Sequence, residues 1–441
     1  MRRLAYSLIR LVGTVDRWAR DRLTMAGWVA LTTAMVAAVA GIDTHQTVTY
    51  RAFTFLVALV LLAWLASLAF RARVVATREL PPYVTAGEPF TYRVTLENRG
   101  GKPVAGATLK ERFADPRPGY DEWLATPEPG EGRRNWFDRR TGYFRWRWLI
   151  ERRLPSPPEE APLPPLAPGR RETVKLTLRA RRRGRLAMDG FTLARTDPLG
   201  LIRGLARIAA PAKVIALPRR YRIPSLALPG NRKFQQGGVT LAASIGDSEE
   251  FLALRDSRPG DPLQRVHWKS FARVGVPIVK DMQDEFFERH ALVLDTARAQ
   301  GEDAVFEDAV AIAASFVYTI DTLECLLDLL FVGGEVKSYT AGRGQLQAAH
   351  MLEILAGLAP SRPSEFDALA RAVVGRRGAL TSCILVLVQW DDARRKLLEA
   401  LAGGGLEVRA ILVCDAKPEG LPPQVLAVHP GRIEEGLARL A

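Results

Sequence analysis

Residues 24–42 read TMAGWVALTTAMVAAVAGI and residues 52–70 read AFTFLVALVLLAWLASLAF. Neither stretch holds a charged side chain, and each is long enough for a helix to cross a hydrocarbon core of ~30 Å. A buried helix of a soluble domain ordinarily carries a polar stripe, so two core helices are the weaker reading and a transmembrane helical hairpin the stronger. The linker 43–51 carries only Asp43 and Arg51, whereas the outer flanks carry Arg2, Arg3, Arg10, Arg17, Arg20 and Arg22 on one side and Arg71 and Arg73 on the other. By the positive-inside rule both ends face the cytoplasm, which gives a two-pass protein of the inner membrane with both termini and all soluble domains on the cytoplasmic side. A cleaved signal peptide suits the pattern poorly, because a second apolar stretch comes directly after and no small-residue cleavage site stands out.

Ahead of the hairpin, Leu4, Leu8, Leu11, Val12, Val15 and Trp18 recur at helical spacing, with Arg10, Arg17 and Arg20 elsewhere on the wheel. That pattern suits a helix lying on the inner membrane surface, or equally one packed on the body. Residues 1–71 therefore form an amphipathic helix plus a two-helix anchor. The rest is ordinary globular composition, 48% hydrophobic and 25% charged, with length for two further domains. Charge is uneven. Residues 73–213 hold 28 Lys and Arg against 16 Asp and Glu, a net +12, while residues 219–441 come to −3. A strongly basic domain beside a bilayer reads as attraction to anionic lipid headgroups. Nucleic-acid binding is not expected, since neither stacking positions nor a groove-reading helix is recognisable. Cys325, Cys383 and Cys414 sit in apolar runs without metal-site spacing, as reduced core residues would.

From Val74 the chain turns to short alternating runs. Residues 90–96 (FTYRVTL) and 173–180 have period two, with turn residues between them, which predicts an antiparallel β-sandwich over 72–217. The alternation fails at about 114–168, an insertion rich in Trp, Arg and Pro. Within it residues 143–150 alternate like a strand, so cross-strand pairing of Trp146 and Trp148 is favoured over lipid or partner binding. Residues 155–168 read as an extended Pro-rich connector.

The connecting region 218–285 contains the densest polar cluster, SEEFLALRDSRPGDPLQRVHWKSFARVGVPIVK at 248–280. The Pro259-Gly260 pair makes a turn, and Asp261 is placed to cap the segment after it. Val266, Trp268 and Phe271 pack inward on this reading, with Trp268 as a core anchor. Two accounts stand: a polar patch of Arg255, Asp261, Arg265, His267, Lys269 and Arg273 that grips a partner or anion, or a charge-laced element docked on a sheet.

The run Glu250, Arg255, Pro259-Gly260-Asp261, Arg265, His267-Trp268-Lys269 and Ala272-Arg273 resembles the signature of the domain of unknown function 58 family, bacterial and archaeal membrane proteins often encoded beside MoxR-type AAA+ ATPases. The hairpin, the strand-rich domain and the turn Asp197-Pro198-Leu199-Gly200 resemble that family's layout, and the insertion has no counterpart in it. The resemblance implies a carboxy-terminal domain similar to von Willebrand factor A domains.

The residues agree on fold class over 286–441. Apolar runs at 290–294, 326–332, 383–388 and 408–413 alternate with helical spacing at 304–320, 346–358, 366–374 and 393–401, which predicts a doubly wound α/β domain with a largely parallel sheet. Ligands in such sheets bind beyond the carboxyl ends of the strands, where Asp295 and Asp391 or Asp392 stand. In von Willebrand factor A domains the first strand ends in Asp-x-Ser-x-Ser, which supplies a carboxylate and two hydroxyls to a divalent cation. Here the place reads Asp295-Thr296-Ala297-Arg298-Ala299, both Ser positions being Ala and a positive charge lying alongside. A hard cation wants about six oxygens, so Mg or Ca binding is not expected at this degenerate site of Asp295, Thr296 and Asp391. Asp295 is expected to pair with Arg298 or to cap the next helix.

Two function classes fit these residues. The first is a non-catalytic membrane-tethered scaffold whose partner, by resemblance, is a MoxR-type AAA+ ATPase in complex assembly or cell-envelope maintenance. The second is a hydrolase or metal-dependent enzyme using Asp261 with His267, or Asp295. The chain has 5 His, no Gly-x-Ser-x-Gly elbow, no His-Glu-x-x-His run and no phosphate-cradling loop, which favours the first.

Overall fold

A computed structural model describes residues 2–40, 47–156, 159–224, 249–258, 261, 263–284, 288–297, 303–320, 325–341 and 345–440. The chain divides into two units, Met1–Arg220 with Leu352–Leu358, and Tyr221–Met351 with Ala359–Ala441.

The first unit begins with three helices, α1 (Arg2–Arg22), α2 (Met25–Ala40) and α3 (Thr47–Leu68). Thr24 separates α1 from α2 and caps the latter, its Oγ1 accepting the Gly27 N–H at 3.0 Å. Helices α2 and α3 meet through Ala30 and Ala63, small residues that let backbones approach. One described helix, Val48–Leu68, is long and apolar enough to cross a membrane, and it lies almost wholly uncovered. Among the described residues α2 has 16 residues, about 24 Å at 1.5 Å per residue. Its predicted end at 41–42 lies outside the described residues.

Eight strands come next: β1 (Val74–Glu79), β2 (Tyr83–Thr85), β3 (Pro89–Asn98), β4 (Ala107–Phe113), β5 (Ala161–Pro162), β6 (Arg171–Arg179), β7 (Gly184–Thr196) and β8 (Arg203–Leu217). They make a three-stranded antiparallel sheet, β1-β3-β6, and a five-stranded sheet, β2-β8-β7-β4-β5, in which only the β2–β8 pairing is parallel. Period-two patterning sends Tyr92, Val94 and Leu96 of β3 and Val174, Leu176 and Leu178 of β6 into one core with Leu109, Phe191 and Leu193 of the other sheet.

Between β4 and β5 the insertion holds three helices, α4 (Tyr120–Ala125), α5 (Trp136–Thr141) and α6 (Tyr143–Arg153). This corrects the strand expected at 143–150. Alternating Arg and Trp satisfies period two, but the same residues set Trp146 and Leu149 three apart on one helical face, and both are buried there.

The second unit opens with an antiparallel pair, β9 (Glu249–Asp256) and β10 (Ile278–Asp284), with the short helix α7 (Trp268–Val274) between them. It continues through β11 (Glu288–Leu294), α8 (Asp303–Thr319), β12 (Cys325–Gly333), β13 (Glu335–Ala341), α9 (Gln345–Ala356), α10 (Phe366–Arg376), β14 (Ser382–Leu387), α11 (Asp392–Gly403), β15 (Glu407–Val413), β16 (Val425–Val428) and α12 (Ile433–Leu437). The sheet order is β13-β12-β11-β14-β15-β16, parallel throughout except at β13. Every residue of β14 is buried, as a strand covered on both faces requires. The order reverses at β11, whose neighbours are β12 and β14, so the crevice of this sheet lies past the ends of β11 and β14.

Candidate functional site

Asp295 comes directly after β11 and is fully buried, its N–H donating to Val386 O at 2.8 Å. Asp391 lies beyond β14 and caps α11 by accepting the Arg394 N–H at 3.0 Å. Arg394 is 2% exposed and joins the two. Its Nε and Nη2 donate to the Asp295 carboxylate at 3.0 and 3.1 Å, its Nη1 to Asp391 at 2.6 Å, and Nη2 also to Ala297 O at 3.0 Å. The guanidinium lies 3.7 Å from the centre of the Phe366 ring. Burial pushes the Asp295 carboxyl above the ordinary aspartate range, and Arg394 pulls against it.

Arg298, one expected partner of Asp295, lies outside the described residues; among the described residues the cation that pairs with Asp295 is Arg394, 99 positions away. Thr296 does not face a ligand either: its Oγ1 donates to Val332 O at 2.8 Å and meets Ser361 Oγ at 3.0 Å. A divalent ion here would have to displace a fixed, buried guanidinium, so these residues do not fit one. Sequence reasoning passed over Arg394, though a signal existed. With Leu397, Leu398 and Leu401 it occupies the buried face of α11, and a charge on an apolar stripe calls for a buried partner.

In the connecting region Arg255 grips Asp261 in a bidentate pair, Nη1 and Nη2 each 2.8 Å from a carboxylate oxygen, and the Arg258 N–H adds a third bond at 2.7 Å. The Arg255 bonds hold the Asp261 carboxyl down at about 2, far from the poise of a general base near neutrality. Asp261 therefore closes its own turn. His267 ends up elsewhere, with its N–H donating to Ile278 O at 2.8 Å and its Nδ1 2.7 Å from Ser270 Oγ. Val266 is buried against Val279, as expected. Trp268 is not a core anchor: it is 62% exposed and packed edge-on against Phe271, while Val266 and Val279 are the residues buried at the bridge. Leu263, Val274 and Val276 are also exposed, and Lys269 and Arg273 point to solvent on α7. Pro259 and Gly260 lie outside the described residues, as do the side chains of Glu250 on β9 and Arg265 in the turn Leu263–Arg265. The result is a surface of apolar and basic side chains around a locked Arg–Asp turn.

A third polar group went unread in the sequence. Arg78, Tyr92 and Glu111 meet between the two sheets of the first unit: Arg78 Nη2 donates to Glu111 at 2.8 Å and the Tyr92 hydroxyl donates to its other oxygen. Burial drives the Glu111 carboxyl up to about 7. Strand alternation carried the signal, since Glu111 stands in register with Ala107 and Leu109 on the inward side of β4.

No family model matches the chain, and no curated protein matches it. Among solved structures it is similar to the CARDB domain of a Pyrococcus furiosus protein (9% identity, 31% of this chain and 94% of that one, TM-score 0.16). Others are a superoxide reductase (neelaredoxin) from Ignicoccus hospitalis (16%, 33% and 82%, 0.15) and a GH20 exo-β-N-acetylglucosaminidase from Vibrio harveyi (8%, 82% and 78%, 0.17). Likenesses at these scores carry no argument about fold or function.

Proposed function

We propose that the chain is a membrane-anchored, cytoplasm-facing scaffold without catalytic activity, built from a two-pass hairpin, an antiparallel β-sandwich and a von Willebrand factor A-like domain. Its partner on this reading is a MoxR-type AAA+ ATPase, as membership of the domain of unknown function 58 family would imply. The observation that carries the proposal is Arg394. At the switch point where a doubly wound sheet ordinarily receives a ligand, the protein's own guanidinium holds both carboxylates, which leaves surfaces rather than a pocket for recognition. The exposed Trp268, Leu263 and Val276 supply such a surface, aromatic and apolar with a basic rim, the composition of interaction hot spots.

The hydrolase reading draws on one contact, the His267–Ser270 pair, which has the distance of a base beside a nucleophile. Asp261, bound to Arg255, gives that histidine no orienting carboxylate. Affinity capture of the tagged full chain from detergent-solubilised membranes, with and without ATP, separates the two. Trp268→Ala and His267→Ala are expected to lower recovery of a co-purifying ATPase severalfold, Trp268 costing more than about 1 kcal/mol as an interface centre. Variants that retain every partner while Ser270→Ala abolishes turnover of a small substrate would replace the scaffold with the enzyme.

A further inference from the structure

Helix α1 has two apolar faces. Tyr6 and Ile9 are buried with Trp123, Trp146 and Leu149 of the insertion in a small core of their own. The grip is specific: the Tyr6 hydroxyl donates to Pro118 O at 2.8 Å, and Arg117 Nη1 donates to Thr14 Oγ1 at 2.9 Å. The Trp146 ring closes on Gly13, where an added Cβ would fall 2.3 Å from Trp146 Cη2. At 100° per residue Leu4, Leu8, Leu11, Val12, Val15 and Trp18 point the opposite way, and each is exposed. The insertion itself carries a second uncovered apolar group. Trp136 and Phe137, adjacent on α5 beside α1, are 66% and 64% exposed. Arg133 and Arg139 lie exposed nearby, and Arg140 sits over the Trp136 ring at 5.5 Å.

From this arrangement we infer that the insertion is a second membrane-contacting element, which clasps α1 so that its outer stripe meets lipid and sets Trp136 and Phe137 among anionic headgroups. The inference rests on the membrane anchoring proposed above. The occupant is a bilayer surface for two reasons. The helix that bears the stripe leads directly into the apolar helices, since α1 ends at Arg22 and α2 begins at Met25. Arginine around an exposed Trp is also the pairing found at membrane–water boundaries, the ring at the headgroup level and the cation on phosphate. A soluble domain gains nothing from displaying two large rings side by side in water.

The test uses the full chain in nanodiscs of phosphatidylcholine and phosphatidylglycerol, with and without brominated acyl chains, which quench indole emission on contact. Wild-type minus Trp136→Leu emission reports on Trp136, and wild-type minus Trp64→Leu reports on α3. For an indole sitting ~5–10 Å into the headgroup boundary, more than about half of the Trp136 emission should be lost to bromine. Arg139→Glu with Arg140→Glu should reduce that loss. If Trp64 is quenched and Trp136 is not, the insertion inference falls while the anchor stands. If neither is quenched, the anchor falls and the inference with it.

Discussion

Arg394 holds two carboxylates that come from different strand ends, so removing it leaves one of them, Asp295, fully buried without its counter-ion. Breaking a buried pair from one side costs about 3–5 kcal/mol, whereas replacing both partners with neutral groups of similar shape is often nearly free. Arg394→Met should therefore lower the melting temperature of the second unit sharply, and Arg394→Met with Asp295→Asn should recover most of the loss. An unchanged melt for the single variant would show that the pair is not formed. Glu111 gives the converse case. Its carboxyl is raised from 4.5 to about 7, so the folded state favours the proton. Its contribution to stability is complete below pH 4.5 and is lost as pH rises through 7, a change on the order of 3 kcal/mol at about 1.4 kcal/mol per unit. The difference between wild type and Glu111→Gln, followed by near-ultraviolet circular dichroism from pH 4 to about 8, should trace this fall. A difference flat across that window would mean that Arg78 keeps the carboxylate ionised throughout.

Elements were legible wherever their periodicity was local. The strands β3 and β6 and the alternation of strand and helix after Arg289 come from period two and from apolar runs, because those patterns are set by neighbours in sequence. Helix α6 was not legible for a reason visible in its packing: its conformation is decided by Tyr6 and Ile9 of α1, over a hundred residues earlier, which cover Trp146. Trp268 departs from its expected place for a local reason: Val266 and Val279 are buried at the hairpin bridge, while Trp268, two positions on, begins α7 and stands exposed. The turn Asp197-Pro198-Leu199-Gly200 was legible as a turn but not as a joint. Its Asp197 carboxylate accepts the N–H groups of Leu199, Leu201 and Ile202, and the Leu201 carbonyl then accepts the Thr24 N–H at the start of α2. Gly27 is required for that approach, since its Cβ would stand 2.2 Å from Leu201 O. Gly13→Leu should unseat α1 from Trp146 at a cost of about 1–3 kcal/mol, read as faster amide exchange across Arg2–Arg22 with α2 unchanged. Gly27→Leu should instead loosen α2 at its first turn. Equal effects of both substitutions on both helices would mean that clasp and joint open together.

At the scale of the whole molecule, the proposed cytoplasm-facing orientation rests on where charge falls along the chain. The net +12 over residues 73–213 belongs to the domain directly after the apolar helices, while residues 219–441 are mildly acidic. Basic residues near the surface of an anionic leaflet gain about 1 kcal/mol each, a term that salt screens within a Debye length. An outward-facing arrangement would forgo this gain and place Arg2, Arg3, Arg10, Arg17, Arg20 and Arg22 on the disfavoured side. Protease added to sealed inside-out vesicles is therefore expected to cut both the region before α2 and the bulk after α3, whereas right-side-out vesicles protect both. If α3 alone spans and α2 lies at the interface, the two flanks fall on opposite sides, and each vesicle orientation protects only one of them. The split result is worth testing because one described helix, Val48–Leu68, is long and apolar enough to cross a membrane.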